Sequence, residues 1–188
     1  WFTGTAVLLC SIPAIGTALY LVFFCQSPRQ ALILRLMIQC MAGVPSIVIG
    51  LFDYSFLVKT LGWGRCILSS GVALGIMILP FIEVRAEKAF QEFPASLVQA
   101  SQALGVSQTY LIVHMVLPAC RGELIHGIVL GGCYAMGATA PLLFTGAVAY
   151  ASVPDSLFKP AMALPMHLYL RIAQGATSID LAYGTAFV

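Results

Sequence analysis

The chain has 188 residues, of which 60% are hydrophobic and only 9% charged, with a formal net charge of +2. Soluble domains carry about 25% charged residues, so water is not the main solvent for this surface, and +2 is too small a charge to hold nucleic acid. The six cysteines, at positions 10, 25, 40, 66, 120 and 133, lack CxxC spacing and sit mostly in apolar stretches, as small hydrophobes rather than a metal or disulfide framework.

A helix needs ~20 apolar residues to cross a bilayer core. In chain order, four stretches qualify: Thr5 to Cys25, Leu36 to Val58, Cys66 to Val84, and Leu124 to Ala147. A fifth begins near Ile179 and is cut off at Val188. The start lacks a basic stretch and a cleavage site, so no signal peptide is expected, and the chain (1–188) reads as a fragment of one transmembrane domain with a truncated last span. The pairs Gly71/Gly75 and Gly127/Gly131 fall inside spans, where small residues let helix backbones approach. Pro45, Pro80 and Pro141 also fall inside spans, so each implies a kink or break.

The joints differ in character. Gln26 to Arg35 and Lys59 to Arg65 are short; Glu87 to Arg121 is long; Ala149 to Asp180 carries Pro154, Pro160 and Pro165. If the spans alternate, Arg29, Arg35, Arg85, Lys88 and Arg121 lie on one side, and Lys59, Arg65, Lys159 and Arg171 on the other. That asymmetry is too small to fix an orientation by itself.

The joint between the third and fourth spans is the most informative. Pro94 suits the first turn of a helix, Gly105 suits its left-handed end, and Leu97, Ala100 and Leu104 make one apolar stripe between them. Ser107 is placed to cap a second short helix, Gln108 to Val116, which Pro118 ends or kinks. The result is a bent pair of helices over 94–118, too short to span and placed to relay motion to a soluble partner.

This spacing resembles the cytoplasmic signature of ABC importer permeases: E-A-A, three residues, Gly, nine residues, then an aliphatic residue, one more, and Leu-Pro. Here it reads Gln99-Ala100-Ser101, Gly105, Met115, Leu117 and Pro118, with Gln99 where the family has glutamate. Gly137-Ala138-Thr139-Ala140-Pro141-Leu142-Leu143-Phe144-Thr145 is similar to the G-E-T-A-P-L-L-F-T stretch of PstA-type permeases of phosphate importers. The run from Ala42 to Phe52 resembles their A-G-V-P-S-I-V-x-G-L-F segment, and Leu79-Pro80 followed by Glu87 resembles L-P-x-x-x-R-x-x-E.

The resemblance implies an all-α, polytopic permease of the type I importer kind, with about five spans visible and a cytoplasmic coupling elbow, lodged in the inner (plasma) membrane. It implies inorganic phosphate delivered by a periplasmic binding protein, a second permease subunit and two cytoplasmic ATPase subunits. The chain itself has no Walker A motif and no nucleophile–base pair; ATP-Mg belongs to the partner ATPase and this chain needs no cofactor. The implied coupling residues are Gln99, Ala100, Ser101, Gly105, Met115, Leu117 and Pro118. The implied path residues are Arg85, Tyr134, Ala138, Thr139, Pro141 and Thr145.

Three positions depart from the pattern. The family has an acidic residue where Ala138 stands and arginines where Tyr134 and Val84 stand, with Arg85 next door to the last. These departures keep two alternatives open: a permease for another oxyanion or an organic phosphate, or a non-transporting regulatory subunit.

Other polar residues have simpler expected roles. Asp53 is expected at the outer interface, wetted or paired with Lys59. Glu83, Glu87, Lys88 and Glu92 are expected in a solvated turn with i, i+4 partners, and Arg121 and Glu123 at an interface. His114, His126 and His167 are too scattered for a metal site. Thr139 and Thr145 either line a path or bond back to their own helix.

Overall fold

The computed structural model describes residues 1–148, 151, 153–173 and 179–187. Helix α1 (Phe2–Leu19) continues through a wider turn, Tyr20–Phe24, to form the first span. The joint after it shrinks to Cys25–Ser27, because Pro28 starts α2 (Pro28–Ala42) much earlier than hydropathy alone indicates. A proline's missing N–H costs nothing in a first turn.

The predicted second span is not one helix. Helix α2 stops at Ala42, and α3 (Ser46–Asp53) with its wider continuation Tyr54–Thr60 leaves at 95°. Pro45 has no N–H to offer and disfavours helical geometry at the residue before it. Its own ψ of 133° sends the chain off extended. Hydropathy has no sense of direction, so the two arms had merged into one stretch.

Helix α4 (Ile67–Gln91) passes through Pro80 and runs on well beyond Val84. Its first N–H groups are all met. Cys66 N donates to Thr145 O at 3.1 Å, Ile67 N to Lys159 O at 3.1 Å and Leu68 N to Leu157 O at 3.0 Å. Ser69 N donates to Cys66 Sγ at 3.4 Å. Thr145, Leu157 and Lys159 are thereby pinned across the helix end, and Ala147 and Ala161 form a parallel bridge.

After α5 (Ala95–Ala103) and the Gly105 turn, α6 (Gln108–Leu111) runs without a break through a wider turn, Ile112–Val116, into α7 (Leu117–Gly137). The second elbow helix is therefore not a separate short piece but the first turns of a 30-residue span. Leu117 N donates to Ile112 O, five residues back, and this widened ladder relieves the clash that Pro118 would make inside a regular helix.

The predicted fourth span is also divided. Helix α7 ends at Gly137, Ala138 is extended with ψ 117°, and α8 (Ala140–Thr145) starts afresh with Pro141 in its first turn. The joint after it contains a helix, α9 (Leu164–Ala173), with Pro165 in its first turn. Helix α10 (Ile179–Phe187) lies where the fifth stretch begins. The fold is thus a helical membrane fold in which, among the described residues, three helices are long and apolar enough to span, or four if the α2–α3 pair counts as one.

Helix α4 is the hub. Phe2, Ala6, Cys10, Ala14 and Ala18 are the buried residues of α1, one every fourth position. They form a stripe of mostly small side chains against which Gly71 and Gly75 settle. A Cβ on Gly71 would lie 2.5 Å from Thr5 Oγ1, and one on Gly131 would lie 2.9 Å from Ile82 Cγ1. Such contacts hold helices by dispersion, since lipid tails and leucines are equally apolar. Two apolar clusters result. One gathers Ala6, Leu74, Ile78 and Leu142 around the pinned end of α4. The other gathers Ala18, Phe90, Leu111 and Val116 around the elbow.

Candidate functional site: the elbow and a divided groove along α4

Elbow geometry follows from a few residues. Gly105 has φ +73°, and its N–H donates to Gln102 O at 3.0 Å while Val106 N donates to Ser101 O at 3.0 Å. These bonds close α5 and turn the chain sharply. Ser107 Oγ then accepts from Tyr110 N at 3.3 Å and caps α6. Ser101 is buried, donating to Leu97 O at 2.7 Å and lying 3.6 Å from Met115 Sδ. Val98, Met115 and Leu117 pack on the elbow cluster. Gln108 Nε2 also donates to Phe23 O, tying the elbow to the end of α1.

The apolar stripe predicted for α5 faces the other way. Leu97, Ala100 and Leu104 are exposed, Leu104 at 83%, together with Gln99 and Pro118. The side that packs inward is Val98 and Ser101, one turn apart. A polar residue on the inner face and a leucine on the outer one reverse the usual pattern, and leave an apolar knob open to a neighbour.

The implied path residues separate into groups. Tyr134, Ala138 and Thr139 line a cavity of about 450 Å³ with Ser46, Met77 and Cys133. Arg85 instead lines a second cavity of about 250 Å³ between α2 and α4, with Gln39, Phe81 and Val84. Pro141 is buried at the α3–α8 crossing, where a Cβ on Gly50 would come within 2.8 Å of Pro141 Cα. Thr145 is fully buried, its hydroxyl held between Pro141 O at 2.8 Å and Ser70 Oγ at 3.0 Å. Thr139 thus faces space and Thr145 bonds back.

Two groups of carboxylates are not where hydropathy puts them. Asp53 is 1% exposed and its Oδ2 has no hydrogen-bond partner; Lys59 lies over the Tyr54 ring instead, 5.3 Å from its centroid. Glu83 and Glu87 are buried too, because α4 carries both inward on one face, a turn apart. Arg35 clamps Glu87 Oε1 with Nη2 at 2.6 Å and Nε at 2.8 Å, and Gln91 Nε2 adds a third bond at 2.8 Å. Glu83 lies within the field of both, with Oε1 unpartnered. Only Lys88 and Glu92, 3.8 Å apart, make the exposed i, i+4 pair expected of the whole group. Near the same end Glu123 pairs with His126 at 3.9 Å. His114 stacks on Tyr110, and His167 bonds Arg171 and Thr185.

Comparison with known proteins places this arrangement. Residues 14–154 match the family described as binding-protein-dependent transport system inner membrane components. The chain belongs to that family.

Among relatives, a Bacillus subtilis protein named "Probable ABC transporter permease protein YqgI" is 28% identical over 181 residues, 89% of this chain and 62% of its own length. The phosphate transport system permease protein PstA 2 of Mycobacterium bovis is 32% identical over 148 residues, 76% of this chain and 49% of its own length. PstA 1 of Mycobacterium tuberculosis is 30% identical over 169 residues, 90% of this chain and 55% of its own length. The chain therefore spans about half to three-fifths of the relatives it matches. The residues of the importer-permease signature fall at the elbow, and the T-A-P-L-L-F-T run follows the α7–α8 break, with Thr139 before α8 and the rest forming it.

Ser46, Met77, Phe81 and Cys133, which line the two cavities, are not among the path residues expected from the sequence. Met77, Phe81 and Arg85 are spaced i, i+4 and i+8 along α4, so helical periodicity alone links them. The Arg35–Glu87 bond, across 52 positions, has no comparable local signal.

Proposed function

We propose that the chain is a membrane-spanning permease subunit of an ATP-driven importer that takes up inorganic phosphate delivered by a periplasmic binding protein. The observation that carries this reading is the match of residues 14–154 to the binding-protein-dependent family, together with relatives named as phosphate transport permeases across most of the chain. The chain sits in the inner membrane as a multi-pass protein, beside a second permease subunit and two cytoplasmic ATPase subunits that hold ATP-Mg.

The elbow is the coupling part. Gln99, Ala100 and Leu104 present an exposed patch to the ATPase, while Ser101 and Met115 fix α5 to the membrane helices. Because α6 continues directly into α7, a push on α5 moves a whole span. Closure of the ATPases then biases the spans between inward-open and outward-open arrangements, each favoured by a different ligand state.

One observation favours a second reading. Of the side chains lining the two cavities, Arg85 alone is charged, whereas the family pattern carries three charges at Val84, Tyr134 and Ala138. A less charged path suits another oxyanion or an organic phosphate. A regulatory subunit that docks on the ATPase without transport would need no path charge at all.

The test is ATP hydrolysis by the assembled complex with empty and phosphate-loaded binding protein. Stimulation by the loaded form alone is expected. Equal rates with both forms sink the importer reading.

A further inference from the structure

We propose that Phe81 and Tyr134 form an aromatic barrier across this subunit's part of the path, and that Arg85 holds an oxyanion on the far side of it. The inference rests on the permease reading above. The two rings lie 4.7 Å apart, centroid to centroid, tilted by 43°. Tyr134 lines the larger cavity and Phe81 the smaller, and neither lines both, so the pair stands between them. The rings are 50% and 44% exposed, so they are not core residues.

Helix α4 sets the order of the parts. Met77 lines the larger cavity, Phe81 and Arg85 the smaller, and Met77 to Arg85 covers about 12 Å of helix axis. On one side of the rings are hydroxyls, from Ser46, Tyr134 and Thr139, and no charge. On the other the wall is mostly apolar, with one guanidinium. The stem of Arg85 is seated against Gly127, where a Cβ would lie 3.2 Å from Arg85 Cβ, and no ion pair among the described residues uses its head. An anion stripped of water beyond the rings needs a charge-assisted donor there, and paired rings exclude water until they part, as hydrophobic constrictions do in channels.

The test uses the complete complex in proteoliposomes without nucleotide, with Cys25→Ser and Cys40→Ser, native Cys133 as reporter of the larger cavity and Val84→Cys as reporter of the smaller. A membrane-impermeant maleimide is added to each side in turn, and labelling of this chain is read by mass spectrometry. Cys133 and Val84→Cys should label from opposite sides. Either Tyr134→Ala or Phe81→Ala should speed labelling of Val84→Cys from the Cys133 side about tenfold, the loss of a barrier of about 1.4 kcal/mol. Tyr134→Phe should keep the parent pattern. Inorganic phosphate should slow labelling of Val84→Cys, and Arg85→Gln should remove that protection.

Labelling of Val84→Cys from the Cys133 side with both rings in place overturns the barrier, as does an unchanged pattern after either ring is removed. Absence of phosphate protection overturns the role of Arg85. The readout needs neither uptake nor hydrolysis. A barrier found in a complex that imports no phosphate supports this inference and counts against the transport reading, whereas an importing complex without one overturns the barrier alone.

Discussion

Gly105 holds the elbow in a left-handed conformation, φ +73°, which costs a residue with a Cβ about 1–2 kcal/mol and a β-branched one more. Gly105→Val should therefore loosen the turn that directs α5, while the spans, which do not contain it, stay folded. The expected result is helical content unchanged by circular dichroism and hydrolysis no longer stimulated by loaded binding protein. Retained stimulation would remove Gly105 from the coupling role. At this scale the sequence was partly legible. Gly105 and Ser107 follow local rules of helix ends, so their conformations could be expected. Glu83 and Asp53 could not, because burial is decided by what packs across from a residue. The exposed Leu104 and buried Ser101 reversed the polarity that a soluble helix would show, since α5 rests on other helices by one narrow side and leaves the rest exposed.

At the scale of helices, the same limitation explains both misplaced spans. Pro45 and Pro141 were visible as breaks, but an apolar run reads the same whether it is straight or folded at 95°. Its direction depends on a neighbouring element that supplies contacts, here α8 against α3 through Gly50 and Pro141. The long α4, by contrast, was legible up to Val84 and then lost. Its last two turns carry Arg85, Glu87 and Lys88, which all look solvated, yet Glu87 is buried under Arg35 on α2.

That cover has a measurable worth. Arg35→Ala leaves the carboxylates of Glu83 and Glu87 on one face of α4 without their cation. The expected loss is about 1–2 kcal/mol, the partial exposure of Arg35 keeping it below the range for fully buried pairs. Glu87→Gln should cost less, because an amide still accepts from Arg35. The double variant should fall short of the sum, as contacting residues do. Denaturant unfolding in detergent micelles reads all three, and strict additivity would mean that the 2.6 Å contact is not a coupled pair in the membrane.

For the whole molecule, the proposed function puts this chain on one side of a path. No charged side chain lines the larger cavity, and Val84, Tyr134 and Ala138 stand where the family pattern has charges. On the proposed reading, a phosphate path needs the second permease subunit opposite these cavities to complete it, with Arg85 as this chain's own cation. Uptake of labelled phosphate by proteoliposomes holding the complete complex and its binding protein tests that most directly. A phosphate importer accumulates label only with ATP and binding protein, and loses it to unlabelled phosphate but not to sulfate or molybdate. No uptake by a complex whose hydrolysis still responds to loaded binding protein would contradict phosphate import by this chain, and displacement by sulfate or molybdate would contradict its selectivity for phosphate.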